Sequence, residues 1–171
     1  MKQFFTSLVC ALAVTAGMSQ SLSFKANTGD TELDVTLNDI NKQGSADFKL
    51  FRKDLSVGFG VTEGKIDELS VKFKMQPADI YFALELSKQT GKTIDVIAKT
   101  YETHKSKGWG VIAKELGIKP GSREFHALKN ASKGKNNKMK EKKEKGNGGG
   151  NGKGNGNSGG AGKGNGKGKG K

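Results

Sequence analysis

The chain has 171 residues, with thirty Lys and Arg against seventeen Asp and Glu, a net charge of +13 and one cysteine. That length bounds it to one small domain with flanking segments. A lone cysteine excludes an internal disulfide framework and a multi-thiolate metal site.

Met1-Lys2-Gln3 carries one positive charge, and Phe4 to Met18 is apolar or small throughout. Ser19, Ser21 and Ser23 follow at two-residue spacing. A charged start, a short apolar run and a small-residue cleavage region form the pattern of a secretory signal. The run falls short of the roughly 20 residues needed to span a bilayer core. Residues 1–23 therefore read as a signal peptide, and the expected location is periplasmic or secreted. Cys10 lies inside the apolar run, so the exported chain would hold no cysteine.

Residues 24–44 read as an extended or strand segment, because Leu33, Val35 and Leu37 alternate with Glu32, Asp34 and Thr36. Period two is the signature of a half-buried strand. An unpaired strand exposes its backbone groups, so this one needs a partner that the sequence does not supply. Residues 45–130 read as helical. Gly44-Ser45 breaks the chain, and Ser45 can cap a helix carrying Phe48, Phe51 and Leu55. Thr62 can cap the next, with Ile66, Leu69 and Phe73 inward. Pro77 suits a first helical turn. The helix after it is apolar on nearly every side from Ile80 to Leu86, as expected of a bundle's buried centre. Gly91 ends that helix, and Thr93 starts another with Ile94, Ile97, Ala98 and Tyr101 inward. A short helix over 111–116 and a last one from Ser122, bearing Phe125 and Leu128, complete the domain. The expected fold is mainly α: five or six short helices behind one strand or extended segment.

Composition changes sharply near residue 131. The segment 131–171 is dominated by Lys, Gly and Asn, with Met139 its one large apolar side chain. Such a segment has too little apolar surface to offset the entropy of ordering, and it reads as a disordered tail. From Lys133 onward it holds twelve Lys (Lys133, Lys135, Lys138, Lys140, Lys142, Lys143, Lys145, Lys153, Lys163, Lys167, Lys169 and Lys171) and two Glu, a net +10. Removing that and Lys2 from +13 leaves +2 for residues 3–132. The twelve lysines are the candidate polyanion-binding residues. They are point charges with no aromatic ring beside them, suited to attract a polyanion but not to read a sequence. Outside the inner membrane the accessible polyanions are anionic envelope polymers, lipid headgroups and extracellular nucleic acid.

The stretch Ile112-Ala113-Lys114-Glu115-Leu116-Gly117-Ile118 has the alanine, glycine and apolar spacing of a helix-turn-helix. Pro120-Gly121 lengthens the turn, and the outward face of the following helix (Arg123, Glu124, His126, Lys129) is mixed in charge. Base-reading helices concentrate Asn, Gln and Arg instead. A nucleic-acid binder using residues 109–129 is the alternative reading.

Gly108-Trp109-Gly110 through Pro120-Gly121-Ser122, followed by Glu124-Phe125-His126-Ala127-Leu128-Lys129, resembles a group of small exported bacterial proteins of unassigned function. Lys65-Ile66-Asp67, Met75 and Pro77-Ala78-Asp79 extend the resemblance over residues 47–129. It implies an envelope or secreted protein and transfers no catalytic residue. Trp109, between two glycines at a helix start, reads as a buried structural anchor, with an exposed ligand platform as its functional alternative. His104 and His126 stand in no metal-ligand spacing, and no nucleophile motif is present. The expectation is a non-enzymatic protein with no cofactor.

Overall fold

The structure, a computed structural model, describes residues 24–147. The expected signal peptide lies outside them. Among the described residues seven helices follow in chain order: α1 Thr31–Ala46, α2 Phe48–Phe59, α3 Glu63–Val71, α4 Pro77–Thr90, α5 Ile94–His104, α6 Trp109–Glu115 and α7 Arg123–Asn147. A single 3-10 turn, Lys105–Lys107, joins α5 to α6. Among the described residues there is no strand, and no helix is long and apolar enough to cross a membrane.

Helix α4 is the axis of the bundle. Every residue from Ala78 to Leu86 is buried, Asp79 and Glu85 included. Pro77 opens the helix at no hydrogen-bond cost, and Gly91 closes it in the left-handed region at φ 67°. Around it pack α1, α2, α3, α5 and α7. The shared core includes Leu33, Leu37 and Ile40 from α1, Phe51 and Leu55 from α2, Ile66 and Leu69 from α3, Ile97 from α5 and Ile112 from α6.

The segment read as a strand is helical. Asp30 caps α1 by accepting the Leu33 N–H at 2.9 Å. Leu33, Leu37, Ile40 and Gly44 face inward at helical spacing, while Val35 is exposed. The alternation of 33, 35 and 37 is thus a coincidence of three positions, and Ile40 breaks it. Gly44 lies inside α1 rather than between elements. A Cβ there would sit 2.7 Å from the Pro77 Cβ and 3.2 Å from the Phe51 ring, so its absence sets how closely α1 meets α4. The cap of α2 is Asp47 rather than Ser45.

Extended backbone does occur, at residues 24–29. Phe24, Ala26 and Thr28 are buried in alternation. The carbonyls of Ala26 and Asn27 accept the N–H groups of Trp109 and Gly110 at 2.8 and 3.0 Å. The partner of this extended chain is the start of α6, where N–H groups have no intrahelical acceptor. Gly110 makes the approach possible, since a Cβ on it would lie 2.6 Å from the Thr28 carbonyl oxygen.

The start of the expected tail is also helical. Residues 131–147 continue α7, a helix of 25 residues. Ser122 caps it through the Phe125 N–H at 3.2 Å. Leu128, Ser132 and Asn136 are buried against the bundle, and Met139 packs on the core. Composition predicted disorder because lysine dominates. However, one polar-tolerant face at three- and four-residue spacing suffices when the neighbouring helices supply acids.

Candidate functional site

Two buried polar clusters flank α4. The first centres on Asp79 in its first turn. One carboxylate oxygen accepts the Trp109 indole N–H at 2.7 Å. The other accepts the Tyr101 hydroxyl at 3.0 Å and the Gln76 backbone N–H at 2.9 Å. Burial pushes the Asp79 carboxyl above the usual aspartate range, and the three donors only partly offset it. Trp109 is 2% exposed, edge-on to Phe82 at 5.2 Å and beside Tyr101 at 5.1 Å between ring centres. It anchors the start of α6 and presents no ring face to solvent. Asn41 of α1 ties the same corner, donating to the Gln76 side chain at 2.8 Å and accepting from the Ala78 N–H at 3.2 Å. Every polar atom of Asp79 points into this scaffold, which fixes α4, α5 and α6 relative to one another.

The second cluster opens to solvent. A cleft of about 540 Å³ runs between α2, α4 and α7. Its apolar wall includes Leu55, Val57, Phe59 and Tyr81, and Glu85 lines it as well. Five lysines reach the same cleft: Lys53, Lys88, Lys135, Lys138 and Lys142. Against Asp54 and Glu85 this gives 5 − 2 = +3 at one place. Gly58, Ala131 and Gly134 also line it, and these small residues leave the space open. The Glu85 side chain is held by the Tyr81 hydroxyl at 3.4 Å on one oxygen; its other oxygen is buried with no hydrogen-bond partner. Desolvation pushes the Glu85 carboxyl up, against the opposing charge of Lys88. The Tyr81 phenol is raised well above its ordinary range by the same burial and by Glu85 beside it. Ser132 faces the Tyr81 hydroxyl from α7, its own Oγ without hydrogen-bond geometry to any acceptor or donor.

The lysines expected to form one free tail divide into three groups. Four of them dock α7 onto the domain. Lys133 pairs with Glu32, Lys140 with Asp39 at 3.1 Å, Lys142 with Asp54 at 2.7 Å, and Lys135 approaches Asp54 at 4.0 Å. Lys129 reinforces the same seam by bridging Asp30 and Glu32, each at 2.8 Å. Burial holds the Lys135 ammonium below the usual lysine range, with Asp54 opposing; it also lies 5.2 Å over the Phe51 ring. Lys138, Lys143 and Lys145 are exposed, Lys138 at the cleft and Lys143 beside the α1–α2 groove on the other side of α7. Lys153, Lys163, Lys167, Lys169 and Lys171 lie outside the described residues. Sequence reasoning missed Lys53, Lys88, Tyr81 and Glu85. Of these, Glu85 alone left a signal, a charge within the otherwise apolar run Ile80 to Leu86.

The helix-turn-helix-like segment is a packing unit. Leu116 and Ile118 are buried, and Gly117 turns the chain at φ 98°. The first turn of α7 exposes Arg123, Glu124 and His126 together, a face without net cationic character. Compared with family models, with curated proteins and with solved structures, the chain matches none.

Proposed function

We propose that the chain is an exported, non-enzymatic helical module that holds anionic envelope polymers, with the lysine-rimmed cleft and the lysines after α7 as its contacts. The observation that carries this reading is the gathering of five lysines from three helices at one cleft. Lys53, Lys88 and Lys138 make no ion pair among the described residues, so their charge is available to a partner. The apolar, uncharged run at residues 4–18 and the resemblance to small exported bacterial proteins support the location. Binding would proceed by charge attraction and counterion release, and so weaken steeply as salt rises.

Retention on heparin resin tests it. Replacing Lys53, Lys88 and Lys138 together by Gln is expected to shift elution to clearly lower salt, with helicity unchanged. Ending the chain after Asn147 should shift it further while leaving α7 in place. Full retention of a chain carrying both changes refutes the proposal.

A further inference from the structure

Lysines alone attract any polyanion, but the cleft contains more than lysines. Glu85 is 6% exposed, and one of its carboxylate oxygens has neither water contact nor a protein donor. A buried acceptor left unpaired is costly. Glu85 lines the anion-attracting cleft, and a rotation of its side chain would bring this acceptor to a ligand that carries donors as well as negative charge. The wall beside it is apolar and aromatic, formed by Val57, Phe59 and Tyr81. Gly134 sits inside α7, where glycine is a poor helix former, and a Cβ there would meet nothing within 4 Å. The space is therefore open, and its size falls in the range of about 300–1,000 Å³ typical of small-ligand clefts.

Negative groups for the lysines, hydroxyl donors for Glu85 and a C–H face for the aromatic wall coexist in one ligand class. We infer that the cleft between α2, α4 and α7 binds an acidic oligosaccharide, its hydroxyls donating to Glu85 and its acid groups meeting Lys53, Lys88 and Lys138. This inference rests on the polyanion reading above and names the polymer's chemistry. A hydroxyl-free polyanion would satisfy the lysines and leave Glu85 unpaired. A neutral sugar would lack the charge that draws it in.

Calorimetric titration of the full chain with two small probes at equal ionic strength separates the possibilities. The probes are tetragalacturonate, with four carboxylates and many hydroxyls, and butanetetracarboxylate, with four carboxylates and none. The expected result is at least tenfold tighter binding of the uronate. Glu85→Met should abolish that preference, and tetracarboxylate should bind at least as tightly as before because a negative charge leaves the cleft. Gly134→Leu, a change from a poor helix former to a good one, should fill the cleft and weaken the uronate while α7 stays folded. Equal affinity for both probes in the natural chain overturns the saccharide inference and leaves the polyanion reading standing. Binding of neither probe, at salt low enough to favour charge attraction, overturns both.

Discussion

Removing the Asp79 carboxylate should cost the domain more than any single surface ion pair. Asp79→Ala strands three donors: the Trp109 indole N–H, the Tyr101 hydroxyl and the Gln76 N–H. Each buried donor left unpaired costs about 1–3 kcal/mol. Two effects reduce the sum. A cavity of about 100 Å³ bordered by Gln76, Asp79, Tyr101 and Trp109 can admit water to the freed donors. Deleting the carboxylate also removes its desolvation cost, the largest influence on its titration. A net loss of about 2–4 kcal/mol follows, or roughly 8–15 °C in melting temperature for a domain of this size. The Trp109→Phe background supplies the decisive comparison. With the indole donor gone, Asp79→Ala should cost about 1–2 kcal/mol less, a coupling that urea denaturation of the four proteins can resolve. The pH dependence has a fixed sign. Because the folded carboxyl titrates above its unfolded value, its contribution to stability is complete below the unfolded pKa and declines as pH rises through the folded one. The deficit of Asp79→Ala should therefore be larger near pH 4 than at neutral pH. Additive effects within about 0.5 kcal/mol, or a loss below about 1 kcal/mol, would refute the argument that the three donors depend on this group.

Two glycines should respond in opposite directions. Gly110→Ala drives a Cβ into the Thr28 carbonyl and should destabilise the fold by about 1–3 kcal/mol, whereas Gly134→Ala, unobstructed in the interior of α7, should stabilise it by about 0.5–1 kcal/mol. Thermal melting measures both, and no gain from Gly134→Ala would argue against an ordered α7 at that point. Lys135→Met keeps a long apolar side chain at this position and removes a charge that burial disfavours, together with the ammonium contacts to Phe51 and Asp54; Lys142 still pairs with Asp54. The variant should be neutral to about 1 kcal/mol more stable at pH 7. Since burial lowers the folded pKa of Lys135, its penalty fades as pH climbs toward the ordinary lysine value, so the advantage of the variant should shrink as pH rises from neutrality to 10.5. A constant advantage across that range, followed by chemical denaturation, would contradict the assigned cause.

Local signals were enough to establish that this is a helical protein. Thr62 as a cap, Pro77 at a first turn, Gly91 as a left-handed stop and the all-round apolar character of Ile80 to Leu86 act over one or two turns, so they are readable without a partner. The α1 segment was misread because Leu33 and Leu37, four apart, satisfy both periods while the exposed Val35 completes a strand-like alternation, and only the burial of Ile40 and Gly44 chooses between them. Residues 133–147 were misread for a related reason. Lysine has ample helix propensity, but propensity alone seldom holds a helix in water. What holds α7 is Asp30, Glu32, Asp39 and Asp54, acids up to about a hundred residues away in sequence. The cleft is the same kind of result. Glu85 was visible as a charge in an apolar run, but neither Tyr81 and Lys88 on α4 nor Lys53 on α2 announced a shared destination with Lys138. Periodicity and capping specify which residues turn inward along one helix. Which helices meet, and therefore which charges are neutralised and which converge, depends on contacts between distant parts of the chain, and those exist only once the bundle has closed.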